Sequence, residues 1–224
     1  MAIELIKALT KERQERIYEL YCRAFPAAEQ KPFSIMVRKQ EEGSLDMLSI
    51  EEAGRFLGLA VMVRYEDRAL VDFFAMDDSV RGQGYGSRAL QALLKQYEGL
   101  RVILEIESTR PGASRPSDAD RAGQETGQTD ADRTGLTDTA ADAWNTENSL
   151  RLRRKEFYHR NGMTDLPFQI DLWGTEMEML SNGTDFSFEE YLELYDAVFG
   201  PGVFGHIRLL DQPVSVKRMA LSEQ

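Results

Sequence analysis

The run Arg81-Gly82-Gln83-Gly84-Tyr85-Gly86-Ser87 places three glycines at alternate positions. It lies between an apolar stretch, Leu70 to Met76, and an amphipathic one with Ala89, Leu90, Leu93, Leu94 and Tyr97 at helical spacing. A strand that enters a helix through small residues leaves the helix's first N–H groups unsatisfied and open to close approach. The helix dipole adds partial positive charge at the same end. The chemistry such a place suits is phosphate binding. Two familiar phosphate loops fail on spacing. A G-x-G-x-x-G turn starting at Gly82 needs glycine at position 87, where the chain has Ser87. A P-loop needs Gly-Lys-Ser or Gly-Lys-Thr, and neither occurs. The spacing that is met is [RQ]-x-x-G-x-[GA], as Arg81-x-x-Gly84-x-Gly86. A plain strand–turn–helix with glycines for tight packing has the same pattern, so context decides.

Groups able to move protons lie on either side. Asp72 interrupts an apolar strand, an expensive place for a charge without purpose or partner. Leu100 to Glu107 reads as the next strand, with Glu105 and Glu107 on one face opposite Val102, Leu104 and Ile106. Beyond it, residues 151–163 read RLRRKEFYHRNGM, with Phe157-Tyr158 four residues before Gly162-Met163.

Turn, strand and the Phe157–Met163 segment, taken in that order, resemble the N-acetyltransferases of the GNAT family. Arg81-x-x-Gly84-x-Gly86 looks like that family's acetyl-CoA pyrophosphate loop, and Phe157 to Met163 like its F-Y-x-x-x-G-F element. The resemblance spans about residues 1–180, and its specific part about 70–163. It implies an α/β fold, a single GNAT-like domain with a mixed, mostly antiparallel twisted sheet flanked by helices. It also implies transfer of an acetyl group from acetyl-CoA to a primary amine of a small molecule or peptide, directly within a ternary complex. Main-chain N–H groups of Arg81, Gly82, Gln83, Gly84, Tyr85, Gly86 and Ser87 would wrap the pyrophosphate. Phe74, Ala75 and Met76 would take the pantetheine arm and face the thioester carbonyl.

Tyr158 matches the family's general acid; a core aromatic at a helix end is the plainer alternative. The acceptor ammonium must lose a proton, and Asp72, Glu105 or Glu107 is the candidate base, with a water chain or a merely solvated strand face as alternatives. The chain departs from the pattern where relatives often carry asparagine and alanine, seven and four residues before the tyrosine; here stand Arg151 and Arg154. The basic run Arg151, Arg153, Arg154, Lys155 and Arg160 reads as a solvated helix face or as a contact to phosphates. The resemblance also implies that acceptor choice is set by the early helices and the loop joining them, here about 25–33, with Glu29, Gln30 and Phe33 as candidate lining. A non-catalytic acyl-CoA-binding regulatory module on the same fold is the rival reading.

Composition narrows the partners. The chain has 224 residues and a formal net charge of −11, which argues against nucleic acid. One cysteine, Cys22, excludes an internal disulfide framework, and two histidines beside it make a metal site unexpected. No apolar run approaches a membrane span and the first residues are no signal peptide, so a cytoplasmic location is expected.

These residues need elements to position them. The pattern predicts a strand at 3–8, then a helix from an N-cap at Thr10 to about Phe25, stopped by Pro26. A short helix follows Pro32, then strands at 45–50 and 55–65, the strand–turn–helix described above, and a hairpin around Gly174. Residues 108–145 contain no Val, Ile, Phe, Tyr or Met and read as a disordered insertion, with Trp144 as an anchor. Ser187-Phe188-Glu189-Glu190 is a capping-box pattern opening a helix to Phe199. Residues 181–224 thus form a C-terminal helical extension, packed on the domain or offering a homodimer contact, with a frayed end from about Val216.

Overall fold

A computed structural model describes residues 2–110 and 136–210. Expectations for 111–135 and for the tail from 211 lie outside the described residues, as does the side chain of Trp144. Eight strands form one sheet: β1 (Glu4–Lys7), β2 (Leu45–Glu52), β3 (Arg55–Tyr65), β4 (Arg68–Met76), β5 (Arg101–Glu107), β6 (Thr164–Leu172), β7 (Thr175–Ser181) and β8 (Ile207–Leu210). Their order across the sheet is β1-β2-β3-β4-β5-β7-β6-β8. Every pairing is antiparallel except β4 with β5. Among the described residues five α-helices flank it: α1 (Lys11–Ala24), α2 (Phe33–Glu41), α3 (Tyr85–Gln96), α4 (Leu136–Arg160) and α5 (Phe188–Phe199). The mixed, mostly antiparallel α/β architecture is the one expected. Residues 136–145, expected within the disordered insertion, form the first turns of α4.

Helix ends follow their caps. The Thr10 hydroxyl accepts the Arg13 N–H, and Pro26 follows the C-cap of α1. Ser187 and Glu190 form the full capping box of α5. Strand alternation then sorts the core into two layers. Met47, Leu59, Val61, Leu70, Phe73 and Ile103 face α1, α2 and α5. Leu48, Ile50, Ala60, Met62, Val71, Leu104 and Ile106 face the opposite layer, which includes Leu90 and Leu93 of α3 and Tyr158 of α4. Buried on both sides, β3 reads as a nearly continuous apolar run, whereas β2 also buries Asp46, Ser49 and Glu51.

Two irregularities shape the centre. Between β3 and β4 the register slips, Val61 pairing with Phe73 and Met62 with Val71, so Asp72 is an extra residue in β4. Parallel pairing of β4 with β5 runs from Arg68↔Arg101 to Val71↔Leu104 and stops. Past that point β5 stays paired with β7 through Glu107, and β4 stays paired with β3 through Met76. The two central strands therefore part, opening a wedge that begins at Asp72 and Glu105.

Candidate active site

The wedge exposes main chain. Asp77 N–H donates to Leu57 O at 2.8 Å. Counting back by two along the ladder turns the groups of Ala75 toward β3 and those of Phe74 and Met76 toward the wedge. Of the three residues expected to face a thioester arm, Phe74 and Met76 thus turn main-chain groups toward the wedge, the Met76 carbonyl already accepting from Arg81, and Ala75 does not. Close approach of β3 here needs Gly58, where a Cβ would stand 2.4 Å from Ala75 O.

Beyond Met76 the chain makes a 3-10 turn, Asp78–Val80, held by Asp77 accepting from Ser79. Gly82 and Gly84 follow in left-handed conformation, φ 74° and 79°, with open space where side chains would stand. Gly84 is the N-cap of α3 and supplies no side-chain cap, so the first-turn N–H groups are left to an outside acceptor. Arg81 is held by the turn itself, pairing with Asp78 at 2.8 Å and donating to Met76 O. Gln83 donates to Ser79 O, and the Tyr85 hydroxyl donates to Glu52. A Cβ at Gly86 would stand 3.5 Å from the Phe157 ring, so the turn packs closely on α4, and Asn161 donates to the Ser87 hydroxyl at 3.2 Å. The glycine turn and the Phe157–Met163 segment, distant in sequence, are therefore one assembly.

The three catalytic candidates surround the wedge on opposite sheet faces. Tyr158 lies on the α3/α4 side, 8 % exposed, its hydroxyl without a hydrogen-bond partner among the described residues. Burial pushes its phenol up to about 12, against a smaller downward pull from Arg154. Asp72 and Glu105 lie on the α1/α5 side. Asp72 is 2 % exposed and forms an ion pair with Lys31. Its other oxygen, Oδ2, is buried without a partner. Glu105 keeps some accessible surface. It accepts from the hydroxyls of Tyr191, at 2.5 Å, and Tyr195, at 3.1 Å. Burial raises its pKa above the ordinary carboxylate value; Lys31 pulls it down and Asp72 pushes it up. Glu107, by contrast, is bound by Arg151 at 3.1 Å and Arg154 at 3.6 Å.

That pairing corrects the reading of the basic run at Arg151 and Lys155, while Arg153, Arg154 and Arg160 are exposed. Arg151 is buried, 3 % exposed, and also donates to Ser108 O. Lys155 joins Glu178 and Asp165. Arg160 pairs with Glu156 on the surface. Arg151 and Lys155 tie α4 to β5 and β7 rather than lying in solvent. In the loop at 25–33, Gln30 braces the Phe25 carbonyl at 2.7 Å and Phe33 packs edge-on against Tyr18. Lys31, Tyr191 and Tyr195 were not anticipated at the site. The only signal for the tyrosines is their i,i+4 spacing on α5, which also marks an ordinary apolar face.

Residues 14–115 match the acetyltransferase (GNAT) family. A GNAT-family acetyltransferase structure from Bacteroides thetaiotaomicron, described by family alone, superposes with a TM-score of 0.63 at 18 % identity, covering 90 % of this chain and 99 % of that one. An aminoglycoside 6'-N-acetyltransferase complexed with coenzyme A gives 0.52 at 14 % identity, covering 81 % and 96 %. The aminoglycoside 6'-N-acetyltransferase from Enterococcus faecium gives 0.50 at 14 %, again covering 81 % and 96 %. No curated protein matches the sequence. The family match falls within residues 14–115, and the fold of the chain is the one that these GNAT acetyltransferase structures share. No helix among the described residues is long and apolar enough to cross a membrane.

Proposed function

We propose that the protein is an acetyl-CoA-dependent N-acetyltransferase acting on a primary amine of a small molecule or peptide by direct transfer in a ternary complex. The observation that carries this reading is the wedge itself. It has an open glycine turn at its mouth, carboxylates on one sheet face and a buried phenol on the other. Gly82 and Gly84 leave room for a pyrophosphate against the first turn of α3, and the wedge-facing main chain of Phe74 and the Met76 N–H suit an amide-bearing pantetheine arm. The thioester supplies the acetyl carbon: a C–N bond forms to the amine, the C–S bond breaks, the ammonium gives up protons and the sulfur leaves as a thiol.

Glu105 is the better base of the two carboxylates. Asp72 is already paired with Lys31, whereas Glu105 keeps accessible surface and a raised pKa. Tyr158 acts as a donor to the leaving sulfur. A thiol has an ordinary pKa of about 8.5, so complete proton transfer from a phenol near 12 is uphill by roughly 5 kcal/mol. Tyr158 therefore stabilises the thiolate by hydrogen bonding, and water supplies the net proton.

Titration calorimetry with acetyl-CoA, followed by thiol-release assays over an amine panel, tests the reading. Binding with amine-dependent thiol release is the expected result. Tight binding without release across the panel would favour the regulatory module, and no binding would remove both readings.

A further inference from the structure

Lys31 sits in a cage built for an ammonium ion. Its Nζ lies 5.3 Å from the centre of the Phe73 ring, 5.3 Å from that of Tyr195 and 5.0 Å from that of Phe199. It pairs with Asp72 and reaches the Tyr195 hydroxyl at 3.5 Å. Three ring faces and a buried carboxylate around one cation are the arrangement that selects ammonium groups over other ligands. The cage lies at the apex of the wedge, because Asp72 and Glu105 are the first residues past the last β4–β5 pair.

Two features set this apart from an ion pair that only stabilises the fold. The cage holds two carboxylates and one ammonium, and the Oδ2 atom of Asp72 is buried with no partner. Its acceptor capacity exceeds what Lys31 uses. Lys31 also comes from the loop between α1 and α2, just before Pro32, and not from a helix or strand of the sheet core. Its main chain is pinned by Tyr21, whose hydroxyl accepts the Lys31 N–H at 2.7 Å and donates to Lys31 O at 3.2 Å. The side chain remains 20 % exposed. Anchored backbone with a partly open side chain lets the ammonium leave the cage without unfolding the loop.

We propose that Lys31 is an internal occupant of the acceptor site, so that the acceptor is a primary alkylammonium that displaces it and takes its place against Asp72, Phe73, Tyr195 and Phe199. This deepens the acetyltransfer reading and rests on it for the identity of the site as an acceptor site. The stem of Lys31 defines the class: an unbranched alkyl chain carrying a terminal ammonium. The arriving ammonium meets Glu105 as the nearby proton acceptor.

The test uses the full chain carrying Lys31→Ala, with n-butylammonium chloride as the probe and sodium chloride at equal ionic strength as the control. In the variant, the probe is expected to raise the melting temperature by several degrees and to be acetylated with a kcat/KM at least tenfold above that of the wild type. No melting shift beyond the salt control overturns the cage as an ammonium site. A melting shift without thiol release, in a variant whose acetyl-CoA binding is confirmed by calorimetry and whose wild type acetylates other amines, overturns its role as the acceptor site. If the wild type acetylates nothing, the broader reading has failed, and the melting shift still reports on the cage. Should Lys31→Ala not fold, trace acetic anhydride labelling of the wild type replaces it. Labelling of Lys31 that rises severalfold with n-butylammonium supports displacement; unchanged labelling overturns it.

Discussion

Tyr158 and Glu105 have opposite relations to their surroundings, and substitutions separate them. The Tyr158 hydroxyl has no hydrogen-bond partner among the described residues, so Tyr158→Phe strands nothing. Stability should change by less than about 0.5 kcal/mol, while kcat falls by on the order of 100-fold with acetyl-CoA affinity intact. Stopped assays and calorimetry on one preparation check both, and unchanged turnover would leave Tyr158 as packing. Glu105 has strong partners in Tyr191 and Tyr195, yet burial raises its pKa. The native state then holds this proton longer than the unfolded chain, whose glutamate has a pKa of about 4.3. Stability attributable to Glu105 is therefore lost as pH rises from about 4.3 through the native value. Glu105→Gln keeps an oxygen for both tyrosines and removes that loss. Its melting temperature should exceed the wild type's at pH 8 and converge with it near pH 4. The same titration governs catalysis, since a base works only when deprotonated. The wild-type rate should rise with pH along a limb above the ordinary carboxylate range, and the variant should lack that limb.

At the scale of the element, the glycine turn can be tested apart from the fold. Gly84 is left-handed, so any side chain there costs roughly 1–2 kcal/mol of strain, lowering the melting temperature by a few degrees in a chain of this size. Gly84→Ala measures that strain. Gly84→Glu adds bulk and negative charge where a diphosphate would lie, and its acetyl-CoA affinity should fall at least 100-fold relative to the alanine variant. Equal affinities would remove the phosphate assignment. This turn was legible because glycines, an apolar strand and an amphipathic helix are local signals. Boundaries from Glu4 to Glu107 were likewise readable from alternation, caps and prolines. β8 was not, because only Ile207 of its four residues is buried and no alternation announces it. The early start of α4 was hidden too: its first turns carry threonine, alanine and aspartate with no apolar stripe. Arg151 looked like a surface charge, since nothing local reveals that Glu107, 44 positions away, receives it. Lys31 was illegible for the same reason. Its cage draws on β4 and α5, and a single lysine before a proline carries no pattern.

For the molecule as a whole, the open question is whether the segment after β7 is an appendage or part of the domain. Tyr191, Leu194, Tyr195 and Val198 are each 2 % exposed or less, packed in the core layer with Met47, Leu59, Val61 and Phe73. Each such side chain is worth about 1.5–3 kcal/mol on burial, so α5 contributes a sum comparable to the whole stability of an ordinary domain, about 5–15 kcal/mol. Its tyrosines also hold Glu105 and wall the Lys31 cage. The core and the site therefore make the same demand on α5, although α5 lies beyond the residues that match the family. A chain ended at Asn182 should lose cooperative thermal unfolding and near-ultraviolet circular dichroism. A separable extension would instead leave a truncated domain that melts cooperatively near the full-length temperature. The single substitution Tyr195→Leu divides the two demands. It keeps apolar volume at the core, costing about 1–2 kcal/mol, and removes one hydroxyl from Glu105 and one ring from the ammonium. Amine KM should therefore rise several-fold more than acetyl-CoA affinity falls, whereas a purely structural helix would move both alike or neither.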